Sequence, residues 1–196
     1  ACRQTKSWHD KGHDDLHISV NVSTMQFYRD NLEKLVVDTL KMNRLPANYL
    51  DIELTESIYM DSKDEILDAL QQIRSLGISL SLDDFGTGYS SLSYLRKFPT
   101  DILKIDRSFI KELDDSEDGA SLVTAIIALA KVMGIKVVAE GVETQRSFAL
   151  LRRIGCDYIQ GYLIAKPLPA QEFEETFLNQ SNYLPPGLFD DQHQWH

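Results

Sequence analysis

Acidic side chains follow several short apolar segments of the sequence, and their types suit the binding of a divalent cation. Glu53, Asp83, Asp84 and Glu140 end such segments, and the amide of Asn21 ends another. Carboxylate and amide oxygens are the ligands that hard cations such as Mg²⁺ and Mn²⁺ prefer. Grouped carboxylates would otherwise repel one another and lose hydration. These five residues are therefore candidate metal ligands.

The adjacent carboxylates of Asp83 and Asp84 favour a site with more than one ion. Neighbouring acids at the end of a strand can serve two cations about 3.5–4 Å apart. The simpler interpretation of any single acid is that it caps a following helix or faces water. That interpretation weakens here, because acids end one apolar segment after another.

A glycine turn and a lysine accompany the acids. The turn Gly86-Thr87-Gly88 could close over a ligand, although a strand-to-helix connection also needs glycine for ordinary backbone reasons. Lys104 lies between Leu103 and Ile105, so strand alternation points its side chain away from their face. Among the acids its ammonium could hold a water or a phosphate oxygen, and a plain salt bridge is the alternative.

The elements that carry these residues alternate along the chain. Helical periodicity predicts helices over residues 31–42, 62–76, 120–133 and 144–154. Apolar runs predict strands over residues 17–23, 50–56, 78–84, 101–106, 135–140 and 156–161. Short connections, several marked by glycine, join helices to the strands that follow. We therefore expect parallel strands with helices packed outside them.

Two α/β architectures fit this alternation: an open doubly wound sheet and a barrel. The polar residues lie at the C-terminal ends of their strands, which a barrel gathers at one mouth and an open sheet spreads along an edge. We therefore predict an α/β fold of the TIM-type (βα)₈ barrel class. Six predicted strands are too few to close an eight-stranded barrel, so we expect the barrel to be N-terminally truncated by at least one strand.

Composition restricts the classes of function. The 196 residues carry a formal charge of −10, which argues against binding of a DNA or RNA polymer. A phosphorylated ligand stays compatible with that charge if divalent cations lie between it and the acids. No segment of about 20 apolar residues could span a membrane. Cys2 and Cys156 are far apart and form no disulfide framework, so we expect a reducing, cytoplasmic setting.

Six segments, in order, carry a family resemblance. They are VNVS (20–23), ELTES (53–57), DDFGTGYSSLSYL (83–95), LKIDRSFI (103–110), AEGVET (139–144) and QGYLIAKPLP (160–169). The chain resembles the EAL domain of bacterial cyclic di-GMP phosphodiesterases over residues 1–178. We expect residues 179–196, which lack periodicity, to form an extended C-terminal tail.

The resemblance implies an activity and roles for the acids. The family is a barrel whose mouth binds two Mg²⁺ or Mn²⁺ ions and hydrolyses cyclic di-GMP to linear pGpG. By the motifs, Asn21, Glu53 and Asp83 resemble ligands of the first ion. Asp83 would bridge to the second ion, with Asp84 and Glu140 on that side.

The resemblance also implies supporting roles. Lys104 resembles the lysine beside the attacking water, and Gln160 the glutamine near the metal-bound water. Glu56 resembles the acid that anchors the loop of the DDFGTG motif. Asp106 and Glu143 are supporting candidates, and either Glu140 or Lys104 could handle the proton.

The sequence departs from the family in one respect. No Glu-Ala-Leu strand precedes the matched segments, so we expect one metal-binding carboxylate and one strand to be absent and turnover by this chain to be impaired. A cyclic di-GMP receptor without catalysis is the alternative function. The resemblance further implies a homodimer through residues 108–133. It also implies fusion to N-terminal sensory or diguanylate-cyclase-like domains, in a parent protein that a membrane anchor could hold.

Overall fold

The computed structural model describes residues 1–29, 32–56, 58, 64–86, 95–115 and 117–179. These residues form a six-stranded parallel sheet in the order β1 to β6. The strands are β1 (Ile18–Asn21), β2 (Leu50–Thr55), β3 (Ser79–Phe85), β4 (Ile102–Ile105), β5 (Lys136–Glu140) and β6 (Tyr158–Gln160). All six predicted strands are thus confirmed.

The strand order decides between the two architectures. A doubly wound sheet reverses its strand order at a switch point, whereas a barrel adds each strand beside the previous one. Here the order rises without reversal, and the sheet curls into a half-barrel. The barrel prediction is confirmed. Within the described residues, β1 and β6 are the two edges of the sheet.

Helices precede or follow the strands and cover one face of the sheet. They are α1 (Cys2–His9), α2 (Thr24–Arg29), α3 (Leu32–Asn43), α4 (Asp64–Ser75), α5 (Arg107–Asp115), α6 (Glu117–Val132), α7 (Gln145–Ile154) and α8 (Ala170–Phe173). A 3₁₀ turn (Ala47–Tyr49) and a π-helical turn (Glu174–Leu178) complete the described elements. None of the described helices is long and apolar enough to cross a membrane.

The four predicted helices are confirmed within the described residues as α3, α4, α6 and α7. Helix α7 shows why its ends could be predicted: the Thr144 hydroxyl accepts the backbone N–H of Ser147 at 3.0 Å, and Gly155 ends the helix at φ 76°. Ser62, which we expect to cap α4, lies outside the described residues. Residues 180–196 of the predicted tail do so too.

Strand alternation gives the sheet two different faces. The side chains that meet the helices are fully buried and apolar, among them Ile52, Leu54, Leu80, Leu103 and Val137. The opposite, concave face carries polar side chains, because the residues between these point the other way. The core therefore lies between sheet and helices, and the polar groups gather inside the curl.

One close backbone approach fixes the loops that end β5 and β6. The Val142 N–H donates to the Gln160 carbonyl, and the Leu163 N–H donates to the Val142 carbonyl, both at 3.0 Å. A Cβ at Gly161 would lie 2.1 Å from the Val142 oxygen, which is far inside van der Waals contact. Glycine at 161 is what lets these two loops pack together and hold the ends of β5 and β6 in place.

We predict that Gly161→Ala lowers the free energy of unfolding by about 3 kcal/mol, because backbone atoms must move apart. Gly134→Ala is the matched control: Gly134 has φ +71°, but no atom lies within 4 Å of its added Cβ. That change should cost only about 1 kcal/mol of conformational strain. Urea unfolding of both variants checks the difference, and equal losses would refute the close-approach argument.

Candidate metal-binding and active site

The curl of the sheet brings the C-terminal ends of the strands together. Asn21 pairs in register with Glu53 across β1 and β2, and Glu140 pairs with Gln160 across β5 and β6. Residues in register on parallel strands point to the same face of the sheet. The candidate residues therefore share the concave face at one end of the half-barrel.

Lys104 lies at the centre of this group. Its Nζ is 3.0 Å from Glu53 Oε1, 3.1 Å from Asp83 Oδ1 and 2.7 Å from Glu140 Oε1. An ammonium group has three N–H donors, and here each has a carboxylate within reach. The lysine side chain is only 7% exposed. Strands β2, β3, β4 and β5 are thus joined by one buried cation.

The pKa shifts follow from this arrangement. Burial alone would lower the pKa of Lys104, but hydrogen bonds and charge from Glu140 and Glu53 outweigh burial and hold the pKa well above its ordinary value. Desolvation raises the pKa of Glu140, and the contact with Lys104 opposes that shift. Lys104 is therefore charged throughout the neutral range.

A second group of oxygens lies beside the lysine. Carboxylate oxygens of Asp83, Asp84 and Glu140 all lie within 4.8 Å of one another. Such a set of hard oxygen donors fits a divalent cation, which would also offset their mutual repulsion. Burial and the nearby charges of Asp83 and Asp106 raise the pKa of the exposed Asp84, as expected for crowded acids.

A break in β3 allows the adjacent acids to converge. Regular alternation would place Asp83 and Asp84 on opposite faces, but the register shifts between Leu82 and Phe85. Asp84 has φ +55°, a left-handed conformation that costs a non-glycine residue about 1–3 kcal/mol. Its N–H donates to Asp83 Oδ1 at 3.1 Å. Strain of this kind concentrates at functional sites.

The remaining predicted residues lie at the ends of strands or a few residues beyond them. Asn21 and Gln160 are exposed at the ends of the two edge strands. Glu56 is buried directly after β2. Most of the loop that Glu56 is predicted to anchor, residues 87–94, lies outside the described residues. Glu143 is exposed beyond β5.

Asp106 has a local structural role. Its Oδ1 accepts the backbone N–H of Ser108 at 2.9 Å and the Ser108 hydroxyl at 2.5 Å, which caps the start of α5. Burial opposes these bonds, but together with the charge of Arg107 they lower the pKa of Asp106. Asp106 thus orients the chain after β4, and its negative charge contributes to the raised pKa of Asp84.

Two polar residues of the concave face did not stand out from the sequence. Asp51 is buried two residues before Glu53, and its Oδ2 accepts the Ser81 hydroxyl at 2.7 Å. Burial raises the pKa of Asp51, with the Ser81 hydrogen bond opposing that shift. The signal was available: period-two alternation places Asp51 on the same face as Glu53.

Comparison with known proteins agrees with this geometry. Residues 1–167 match the EAL domain family, and the chain belongs to that family. It is 45% identical over 172 residues to the bifunctional diguanylate cyclase/cyclic di-GMP phosphodiesterase MucR of Pseudomonas aeruginosa. That match covers 88% of this chain and 25% of MucR, so the chain spans about a quarter of that relative's length.

Solved structures resemble the half-barrel closely. The PaMucR phosphodiesterase, in complex with c-di-GMP, superposes with a TM-score of 0.84 at 45% identity, over 88% of this chain and 70% of that one. Klebsiella pneumoniae BlrP1, in a manganese/cy-diGMP complex, gives a TM-score of 0.75 at 28% identity, over 84% of this chain and 42% of that one. The family resemblance is confirmed.

We predict that Lys104→Met lowers the free energy of unfolding by about 3 kcal/mol in EDTA, because three largely buried carboxylates lose their common cation. Added Mn²⁺ should stabilise this variant more than the wild type. Lys136→Met, which changes an exposed lysine on β5, should shift stability by less than about 0.5 kcal/mol. Urea titrations with and without Mn²⁺ make the comparison. A Lys104→Met protein as stable as the control would contradict the central role of this ammonium.

Proposed function

We propose that this chain is the catalytic part of a phosphodiesterase that hydrolyses cyclic di-GMP to linear pGpG with two Mg²⁺ or Mn²⁺ ions. One observation carries the proposal: carboxylates from β2, β3 and β5 converge on a buried lysine. Beside it, carboxylate oxygens of Asp83, Asp84 and Glu140 lie within 4.8 Å of one another. The names of the matched relative and structures, which include a phosphodiesterase and cyclic di-GMP complexes, support the choice of substrate.

Charge supports the binding of cations at this site. Glu53, Asp83, Asp84 and Glu140 contribute four negative charges, and Lys104 returns one positive charge, so three negative charges are left over. In the proposed assignment Asn21, Glu53 and Asp83 would hold one ion. Asp83, Asp84 and Glu140 would hold the other. The grouping of Asp83, Asp84 and Glu140 is the part of this assignment that geometry supports directly.

The chemistry would be in-line hydrolysis of a phosphodiester. When bound, divalent cations lower the pKa of a coordinated water and stabilise charge on the leaving oxygen. Lys104 would hold the three carboxylates in place and orient a water or phosphate oxygen. Of the two predicted proton acceptors, only Glu140 could take the proton, because Lys104 is already protonated in the neutral range. Gln160 would contribute an amide to the water. The cations also offset repulsion between a dianionic substrate and an acidic site.

We predict that the protein with Mn²⁺ converts cyclic di-GMP to pGpG, and that Glu140→Ala lowers the rate by at least about 100-fold, since a metal ligand is lost. Glu172→Ala, an exposed acid of α8, is the control and should leave turnover unchanged. Product is followed by chromatography, using the longest native polypeptide that carries this chain. Tight binding of cyclic di-GMP without any pGpG would instead assign the receptor function.

We further propose that the domain, residues 1–178, acts as a homodimer in the cytoplasm, fused to sensory or diguanylate-cyclase-like domains. The support for a dimer is an apolar stripe on α6 at helical spacing. Leu122 and Val132 are 44% and 87% exposed, and Ala125 and Leu129 lie between them on the same side. Val123, Ile126, Ile127 and Ala130 face the core instead, so only one side of α6 is available to a partner.

We predict that Leu122→Glu converts the dimer to a monomer, because a charge placed within an apolar contact lacks compensation. Leu35→Glu is the matched control, since Leu35 is also exposed but lies on α3. Sedimentation velocity of the wild type and both variants gives the oligomeric state. A wild-type monomer, or a dimer that persists in Leu122→Glu, would contradict this interface.

A further inference from the structure

A second polar layer lies directly beneath part of the candidate site. Three residues precede predicted ligands of the first ion by two positions and therefore share their face: Ser19 precedes Asn21, Asp51 precedes Glu53, and Ser81 precedes Asp83. On the other strands the equivalent positions hold Ile102, Val138 and Tyr158. The polar layer is thus confined to the strands that carry the first-ion ligands.

Asp51 is the charged member of this layer. It is 6% exposed, and the Ser81 side chain that donates to its Oδ2 is 1% exposed. Among the described residues no hydrogen bond of ordinary geometry reaches its other oxygen, Oδ1, although the Ser19 hydroxyl lies close enough to oppose the raised pKa of this carboxyl. A buried carboxylate with one unsatisfied oxygen destabilises a fold, and an amide or apolar side chain there would cost less. Folding alone therefore does not explain an aspartate at this position.

The surroundings of Asp51 point to a role in the site above it. Its hydrogen bond to Ser81 joins β2 to β3. Asp51 precedes Glu53 by two positions and Ser81 precedes Asp83 by two, and in the strand register Ser81 lies opposite Glu53. Glu53 and Asp83 are two of the carboxylates that contact Lys104. Its charge is close enough to interact with both Glu53 and Lys104. A fixed negative charge in a medium of low polarity attracts cations more strongly than one in water.

We propose that Asp51 is a positioning residue for the metal-binding carboxylates. Its hydrogen bond to Ser81 sets the spacing of Glu53 and Asp83, and its buried charge strengthens cation binding from beneath them. The inference rests on the proposed metal dependence, but it concerns cation affinity and is independent of which phosphodiester is hydrolysed.

The test separates cation binding from stability. Asp51→Asn keeps the shape and the acceptor for Ser81 but removes the charge. We expect its Mn²⁺ affinity to fall on the order of 10-fold, while its melting temperature in EDTA stays equal or rises. Ser81→Ala, which keeps the charge and removes the hydrogen bond, should weaken Mn²⁺ binding less. Free Mn²⁺ is measured by electron paramagnetic resonance, and melting by circular dichroism.

Asp101→Asn is the matched control. Asp101 precedes β4 at the opposite end of the sheet, and both of its oxygens accept hydrogen bonds, from Arg74 and the Leu80 N–H. The Asp101→Asn substitution should lower the melting temperature, because it weakens these hydrogen bonds, and it should leave the Mn²⁺ affinity unchanged. In turnover assays, Asp51→Asn should raise the Mn²⁺ concentration needed for half-maximal rate without changing KM for cyclic di-GMP.

Several outcomes would overturn the proposal. If the Asp51→Asn variant has the Mn²⁺ affinity of the wild type, whether or not its melting temperature falls, Asp51 has a structural role alone. A wild type without Mn²⁺ affinity would refute this inference and the proposed function together. A wild type that binds Mn²⁺ but makes no pGpG would refute the proposed function only, and the affinities of the variants would still decide the role of Asp51.

Discussion

The shared contact between the Lys104 ammonium and three carboxylates is the interaction on which the rest of the site depends. Glu53, Asp83 and Glu140 come from three different strands, and all three approach one nitrogen within 3.1 Å. Without that cation, buried carboxylates at these distances would repel one another and draw in water. With it, the ends of four neighbouring strands are held in one arrangement, and only one of the negative charges is neutralised.

The fold supplies the geometry that this contact needs. Parallel strands in rising order bring their C-terminal ends to one edge, and the curl turns the polar face inward. The apolar face packs against the helices, so stability comes from residues such as Leu54 and Leu103 that take no part in the site. This division lets the concave face carry unfavourable features: a strained Asp84, crowded acids and a buried Asp51.

Much of the fold could be predicted because local patterns and tertiary contacts agree. Each predicted strand is a short apolar run, and α7 carries both of its capping residues. Helix α5 is not among the predicted helices, because its first residues belong to the motif LKIDRSFI (103–110), which begins within β4. Its amphipathic spacing of Ile110 and Leu113 is visible in the sequence, and both side chains are buried.

The candidate site could be predicted only in part, since residue types are local but their final directions are not. Alternation alone correctly turned Lys104 toward the acids. The same rule separates Asp83 from Asp84, and only the register shift and the positive φ of Asp84 bring both toward Glu140. Asp51 was overlooked because a single acid within a strand carries no motif, and its importance depends on burial and on Ser81 across the sheet.

Anomalous diffraction at the manganese edge, from crystals grown with Mn²⁺, tests the central claim most directly. If the carboxylates around Lys104 form a two-ion site, two peaks about 3.5–4 Å apart should lie against the Asp83 carboxylate. One ion should also contact Glu53, and the other Asp84 and Glu140. The account would be contradicted if crystals grown with Mn²⁺ showed no anomalous peak at Asp83 and the three carboxylates contacted only Lys104.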